Sequence, residues 1–118
     1  MNKYKNKKVE YDGHKFDSHL EMERYKQLKL LEKVGKIHNL ILQPKFELQP
    51  SFKYKGKPFR AITYVADFKY YDGCMKDFII EDVKGKLTEV YKLKKKLFLY
   101  KLSYSVEFRE LYKKDIIK

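Results

Sequence analysis

The sequence has a single cysteine, Cys74, only three histidines, no tryptophan and no long apolar run. One cysteine cannot form an intrachain disulfide, which favours a reducing compartment and a cytoplasmic location. One cysteine and three scattered histidines also argue against a structural zinc site. A membrane helix needs about 20 consecutive apolar residues, so a membrane-spanning helix is excluded. The start of the chain is polar and basic, and lacks the apolar segment of a secretory signal.

Positive charge is what the 118 residues have in excess. Lysine and arginine number 28 against 16 aspartates and glutamates, which gives a net charge of +12. Such a charge on a small protein attracts polyanions, so nucleic acid is the first candidate partner and an anionic membrane surface the second. Eleven tyrosines and eight phenylalanines, within a hydrophobic fraction of 43%, can supply a compact core. We therefore predict one folded domain over residues 11–118, preceded by a flexible basic arm over residues 1–10.

Capping residues and periodicity predict two helices. Ser18 and Glu21 have the spacing of a capping box, and apolar residues then recur at helical intervals until Gly35, a residue suited to end a helix. These signals predict a helix over about 18–34. A second helix is predicted over 88–102, with an apolar stripe on one side and several lysines on the other.

Strands are predicted around these helices. Asp12-Gly13 and Asp72-Gly73 mark tight turns, the first of them within a short hairpin over 9–16. A loop is expected over 55–58, and apolar or alternating runs predict strands over 37–42, 46–50, 60–71, 76–84 and 103–108. The order helix, strands, helix, strand predicts an α/β fold with a single mixed β-sheet flanked by helices.

Acidic residues interrupt two of the apolar strands. Burying an ionised carboxylate is costly unless it is paired or bound to a metal. Because strand side chains alternate, Asp82 and Lys84 share one face, and a hairpin through Asp72-Gly73 would bring Asp67 beside Asp82. Glu81 points to the opposite face, where we expect an ion pair, although a one-residue change of register would exchange Glu81 with Asp82.

Two carboxylates and one ammonium group at the end of a sheet suit the hydrolysis of phosphodiester bonds. The carboxylates and waters can hold Mg²⁺, a hard cation that prefers oxygen ligands, with Mn²⁺ as a substitute. The metal would polarise the scissile phosphate, and Lys84 would orient the attacking water or stabilise the developing charge. On spacing alone, an ordinary salt bridge at a strand end explains Asp67, Asp82 and Lys84 equally well.

Asp67, followed fifteen positions later by Asp82-Val83-Lys84, resembles the signature of the PD-(D/E)XK nuclease superfamily, with Ala66 where the signature has proline. The resemblance extends over about 11–112 to a phage family of Holliday-junction-resolvase-like nucleases. The features that carry it are Tyr11-Asp12-Gly13, Phe16-Asp17-Ser18, Glu21, Gln43-Pro44 and Lys84-Gly85 before a lysine-rich helix.

This resemblance implies a restriction-endonuclease-like αβββαβ core and a Mg²⁺-dependent endodeoxyribonuclease. It implies DNA, branched or duplex, as the partner, no membrane partner, and the host cytoplasm as the location. Because a resolvase makes two coordinated cuts, it also implies a homodimer. In many members an acidic residue of the first helix completes the metal site. Glu21 matches that position beside Asp67 and Asp82, although it could serve only as a helix cap, and Glu23 is a weaker match.

The resemblance also assigns a catalytic role to a lysine of the second helix, which Lys94 matches, with Lys95 as the alternative. Gln43 matches a polar position near the site, or is simply the residue before Pro44. As a group, the lysines of this helix are candidate phosphate contacts, unless they form only a solvated basic face. They are Lys92, Lys94, Lys95 and Lys96.

Other functions remain open from the sequence. The chain could be a catalytically silent DNA-binding module of the same fold, a nicking or repair endonuclease, or the cleavage subunit of a transposition complex. A basic RNA-associated protein would explain the charge but not the carboxylates within apolar strands. We assign the tyrosines and phenylalanines to the core rather than to base-stacking platforms.

Overall fold

The computed structural model describes residues 8–73, 78–84, 87–102 and 106–117. Of these residues, 44% lie in strands and 33% in helices. In chain order the elements are β1 (Val9–Tyr11), β2 (His14–Phe16), α1 (His19–Lys33), β3 (Ile37–Leu42), β4 (Lys45–Gln49), β5 (Phe52–Tyr54), β6 (Lys57–Phe59), β7 (Ile62–Val65), β8 (Phe68–Asp72), β9 (Phe78–Val83), α2 (Glu89–Leu102), β10 (Val106–Leu111) and α3 (Lys113–Ile116).

The described strands form four separate sheets. The largest has the order β10-β9-β8-β3, in which β9 runs parallel to β10 and antiparallel to β8, and β8 runs antiparallel to β3. Three antiparallel pairs, β1 with β2, β4 with β7 and β5 with β6, make up the others. The predicted single mixed sheet flanked by helices, with a restriction-endonuclease-like αβββαβ core, is therefore wrong.

The predicted strand over 60–71 divides because the backbone pairing changes at Ala66 and Asp67. On the facing strand, Gln43 has a φ of 50°, and Pro44 has no N–H to continue the ladder. The Gln43 N–H donates to the Asp67 carbonyl at 2.9 Å, and the Ala66 N–H donates to the Pro44 carbonyl at 3.1 Å. The β3–β8 pair thus ends where the β4–β7 pair begins. Hydropathy is similar on both sides of this break, so it predicts one continuous strand.

Two apolar clusters lie on opposite sides of β9. Ile79 belongs to a cluster that includes Tyr25 and Leu28 of α1, and Ile80 belongs to another that includes Phe98 of α2. A strand whose two faces are both covered needs apolar residues in succession, which is the pattern that β9 shows. Its buried end carries the acidic residues of the candidate site into this apolar setting.

The predicted helices are confirmed. α1 begins after Ser18, whose Oγ accepts from the Glu21 N–H at 3.1 Å, and the chain turns with a φ of 82° at Gly35. α2 begins after Thr88, whose Oγ1 accepts from the Tyr91 N–H at 3.1 Å. None of the helices in the described residues is long and apolar enough to cross a lipid bilayer.

The predicted hairpin over 9–16 is also confirmed, with a turn at Asp12-Gly13. Residues 1–7 of the predicted arm lie outside the described residues, and β1 begins at Val9. The loop expected over 55–58 is instead a turn at Lys55-Gly56 between β5 and β6. The first residues of two predicted strands, 76–77 and 103–105, lie outside the described residues.

Candidate functional site

A pocket of about 290 Å³ lies between the start of α1 and the adjoining ends of β7, β8 and β9. Its polar lining consists of four acidic side chains, one lysine and one serine, and three apolar residues complete it. The lining residues are Asp17, Ser18, Leu20, Glu21, Val65, Asp67, Asp82, Val83 and Lys84. The pocket is therefore strongly acidic, although the chain as a whole is strongly basic.

Strand register brings Asp67 and Asp82 together. β8 pairs Phe68 with Glu81, so Asp67, the residue before Phe68, lies beside Asp82. The Asp67 N–H donates to the Glu81 carbonyl at 3.1 Å, and the Asp67 Oδ2 accepts from the Val83 N–H at 2.6 Å. These two backbone bonds hold the Asp67 carboxyl group over the end of β9.

Asp82 is buried and both of its carboxylate oxygens are engaged. Lys84 Nζ lies 2.8 Å from Asp82 Oδ1, and the Tyr64 hydroxyl donates to Asp82 Oδ2. Burial, together with the charge of Asp82, raises the pKa of Tyr64, so this tyrosine remains a donor. Lys84 Nζ also lies 3.8 Å from the centre of the Tyr91 ring, a distance typical of a cation–π contact.

Glu21 serves the helix cap through its backbone and the pocket through its side chain. Its N–H donates to Ser18, whereas its buried carboxyl group lies beside the carboxyl group of Asp67 and the backbone of Asp17. Burial and then the charge of Asp17 raise the pKa of Glu21 to about 7. Burial and then the charges of Glu21 and Asp82 raise the pKa of Asp67 to about 9. The raised pKa values of these two neighbouring carboxyl groups mean that both resist ionisation in the metal-free protein.

Three residues of this site were not predicted from the sequence. Asp17 lines the pocket, Tyr64 binds Asp82, and the Tyr91 ring contacts Lys84. Asp17 stands directly before the helix cap, a position that can be recognised from the sequence. The tyrosines give no comparable signal, because their spacing is that of core residues and their hydroxyl partners lie far along the chain.

The other acidic candidates lie outside the pocket. Glu81 is fully buried and is bound by Arg24, with Nε at 2.8 Å from Oε1 and Nη2 at 2.6 Å from Oε2. The Tyr70 hydroxyl donates to the same carboxylate. The ion pair predicted for Glu81 is thus confirmed. Glu23 lies 3.6 Å from both His19 and Lys26, and it does not line the pocket.

The lysines of α2 divide between two sides of the helix. Lys95 Nζ lies 2.8 Å from Glu110 Oε2, and together with Lys92 and Lys96 it lines a second pocket of about 400 Å³. Lys94 is half-buried, and its place in the helix, three residues after Tyr91, is on the side of the core. In the described part of the chain, Lys94 does not line the acidic pocket.

Gln43 lies beside Asp67 through its backbone, since its N–H donates to the Asp67 carbonyl at 2.9 Å, but its side chain is exposed. Among the described residues, no three histidine, cysteine or carboxylate side chains are already arranged as a metal-binding group. In the pocket, Glu21 lies beside Asp67, and the two oxygens of Asp82 are engaged by Tyr64 and Lys84.

Comparison with known proteins identifies the family but assigns no activity. No curated protein and no solved structure matches the chain. The model of a family described as "Protein of unknown function (DUF1064)" matches residues 1–118. Because this match covers the full length of the sequence, the chain belongs to the DUF1064 family.

Proposed function

We propose that the protein is a metal-dependent endonuclease that hydrolyses phosphodiester bonds in DNA, with a structure-selective or junction-resolving role. The observation that carries the proposal is an acidic pocket in a chain of net charge +12. Crowded carboxylates repel one another, and a divalent cation would neutralise that repulsion. The surrounding positive charge attracts a polyanion, whose phosphates could then meet the cation at the pocket.

The chemistry of the side chains fits Mg²⁺, with Mn²⁺ as a substitute. Glu21, Asp67 and Asp82 offer only carboxylate oxygens, the donors that hard cations prefer. Mg²⁺ held there would supply Lewis-acid polarisation of the scissile phosphate. Its binding requires Glu21 and Asp67, whose pKa values are raised, to be ionised. Metal affinity should therefore rise with pH through the range in which these carboxyl groups ionise.

Lys84 is the residue that would stabilise negative charge on the phosphate. Its ammonium group is held between Asp82 at 2.8 Å and the Tyr91 ring at 3.8 Å, so its position at the pocket is fixed from two sides. A preoriented cation in a partly buried site stabilises developing charge with little reorganisation. The Tyr64 hydroxyl in turn fixes the orientation of Asp82.

A second candidate function is a DNA-binding module without catalytic activity. The observation that favours it is that both carboxylate oxygens of Asp82 are already engaged, by Tyr64 and Lys84. Under this alternative, these three residues form only a structural ion-pair network at the end of β9. Mg²⁺ would then neither bind in the pocket nor permit cleavage.

Cleavage of labelled four-way junctions, flaps, nicked duplexes and blunt duplexes in Mg²⁺ or Mn²⁺, against EDTA, tests the proposal. Asp82→Asn and Glu21→Gln should each lower the cleavage rate by at least about a hundredfold while retaining DNA binding in EDTA. Glu23→Gln is the matched control, because Glu23 lies on the same helix outside the pocket. Absence of metal-dependent cleavage by the wild type on every substrate would favour the module without catalysis.

Two further features complete the proposal. The single cysteine in 118 residues suits the reducing cytoplasm, where we propose that the protein acts.

A junction needs two coordinated cuts, so we propose that a homodimer resolves it. Sedimentation of the protein with and without a four-way junction measures the number of copies bound.

A further inference from the structure

The hairpin formed by β5 and β6, residues 52–59, is exposed along its whole length. Its strands pair Phe52 with Phe59 and Tyr54 with Lys57, and Lys55 and Gly56 form the turn with φ values of 50° and 78°. Positive φ at both turn residues is the geometry that suits a tight two-residue hairpin. Within the described residues, neither strand packs extensively against another helix or strand. The hairpin therefore projects from the rest of the structure.

Aromatic and cationic side chains dominate this hairpin. Phe52, Tyr54 and Phe59 are 46%, 61% and 40% exposed, so they are not core residues as the sequence suggested. The rings of Phe52 and Phe59 stack with their centres 5.0 Å apart and their planes 9° apart. No acidic residue occurs between Glu47 and Asp67, whereas this segment holds four cations. They are Lys53, Lys55, Lys57 and Arg60.

The cross-strand pairs determine which side chains share a face. Because paired residues of a hairpin project to the same side, Phe52, Phe59, Tyr54 and Lys57 lie on one face. Lys57 Nζ lies 5.8 Å from the centre of the Phe59 ring, and Lys55 Nζ lies 5.5 Å from that of Tyr54. The face thus combines flat apolar rings with positive charge, which suits a ligand that has both flat apolar rings and negative charge.

A continuous pair of strands connects the hairpin to the acidic pocket. β7 carries Val65 of the pocket lining at one end and Ile62 at the other, and β4 pairs with it throughout. Asp67 and Phe59 are eight residues apart, a separation of at most roughly 26 Å along extended chain. A nucleic acid strand bound at the pocket could therefore reach the hairpin within about eight nucleotides.

We propose that the β5–β6 hairpin binds unpaired nucleotides of DNA next to the cleavage site, with bases stacking on its exposed rings and phosphates contacting its lysines. The inference rests on the proposed function in taking DNA as the partner. Unpaired nucleotides are favoured over duplex because a ring needs the face of a base, and a duplex exposes only base edges in its grooves. A second copy of the hairpin is disfavoured because two faces without acidic residues repel each other.

Tyr54→Ala is the central variant, since Tyr54 is the most exposed of the three rings. Tyr100→Ala is the matched control, because Tyr100 is 87% exposed but lies on α2. Binding is measured in EDTA, without cleavage, to a blunt duplex and to the same duplex with a single-stranded overhang. Stacking contributes enough that Tyr54→Ala should bind the overhang substrate about tenfold more weakly and the blunt duplex less than twofold more weakly. Tyr54→Phe and Tyr100→Ala should bind both substrates as the wild type does.

Fluorescence of 2-aminopurine placed in the overhang gives a direct readout of stacking. The wild type and Tyr54→Phe should quench it on binding, and Tyr54→Ala should quench it less at saturating protein. Lys55→Ala and Lys57→Ala, whose ammonium groups lie near the rings of Tyr54 and Phe59, should each flatten the slope of log K against log salt by roughly 0.7 on single-stranded DNA. Thermal unfolding of each variant should match the wild type, because the hairpin lies outside both apolar clusters.

Three results would overturn the inference. The first is wild-type affinity of Tyr54→Ala for the overhang substrate, and the second is an equal loss on both substrates. The third is binding of phosphatidylserine vesicles that Tyr54→Ala abolishes while its DNA affinity is unchanged. These measurements do not depend on cleavage. A protein that binds the overhang through Tyr54 but never cleaves DNA refutes the proposed nuclease, whereas cleavage with Tyr54-independent binding refutes only the hairpin.

Discussion

Replacing Glu21 by glutamine should stabilise the metal-free protein above neutral pH, although it removes a candidate metal ligand. Glu21 is buried beside Asp67, and burial and then the charge of Asp17 raise its pKa from an ordinary value of 4.5 to about 7. A carboxyl group whose pKa is raised by folding favours the fold while it is protonated. Its contribution to the free energy of unfolding is fully present below pH 4.5. That contribution falls as the pH rises from 4.5 and is lost once the pH has passed 7.

The size of this effect follows from the pKa change. One pKa unit corresponds to about 1.4 kcal/mol, so a rise from 4.5 to about 7 removes about 3 kcal/mol of unfolding free energy between acidic and mildly alkaline pH. Glutamine keeps the length and the hydrogen-bonding groups of Glu21 but cannot ionise. In EDTA at pH 8, Glu21→Gln should therefore be more stable than the wild type by up to about 3 kcal/mol. At pH 4.5 the two proteins should differ little.

Urea unfolding at several pH values between 4.5 and 8, in EDTA and in Mg²⁺, measures these differences. Mg²⁺ should stabilise the wild type at pH 8, by about 2.7 kcal/mol when its free concentration is a hundred times Kd, and should stabilise Glu21→Gln much less. Glu23→Gln, on the same helix outside the pocket, should follow the wild type throughout. If Glu21→Gln is no more stable than the wild type in EDTA at pH 8, then ionised Glu21 does not destabilise the fold, and the reasoning from its raised pKa is refuted.

Three further predictions address other residues. Arg24→Met leaves the Glu81 carboxylate buried without its cation and should cost about 3–5 kcal/mol in urea unfolding; a loss below 1 kcal/mol would contradict a structural role for the pair. Tyr64→Phe frees one oxygen of Asp82 and should lower kcat with KM unchanged in steady-state cleavage, whereas a changed KM alone would indicate a role in DNA binding. Among the four lysines of α2, two or three should each flatten the slope of log K against log salt by roughly 0.9 on duplex DNA when replaced by alanine, and Lys94→Ala should affect cleavage more than affinity. Unchanged slopes and rates for Lys92, Lys94, Lys95 and Lys96 would place the DNA elsewhere.

Local signals in the sequence predicted much of the neighbourhood of the pocket. Alternation along a strand predicts that Asp82 and Lys84 share a face, and their side chains lie 2.8 Å apart. The same alternation predicts that Glu81 faces away, and it pairs with Arg24. Each of these predictions depends on residues one or two positions apart, for which a strand allows only one relative orientation.

Interactions between distant segments could not be predicted in this way. The break between β7 and β8 depends on Gln43 and Pro44 of a facing strand, and on a positive φ that a glutamine adopts only because its neighbours hold it there. The bond from Tyr64 to Asp82 joins residues 18 positions apart, and nothing in its spacing distinguishes Tyr64 from a core tyrosine. The exposure of the β5–β6 hairpin likewise follows from the packing of the other elements, which left no partner for its aromatic face within the described residues.

Two buried glutamates show why the pocket, rather than the opposite face of β9, is the candidate site. Glu81 is bound by the guanidinium of Arg24 and the hydroxyl of Tyr70, so the fold itself satisfies its charge. Glu21 is also buried, but its neighbour is another carboxyl group, that of Asp67. Two carboxyl groups buried side by side lack the cationic partner that Glu81 has, so ionising both of them is costly. A bound cation would relieve the repulsion between these carboxyl groups, and we propose a divalent cation because Glu21, Asp67 and Asp82 offer the oxygen donors that it prefers.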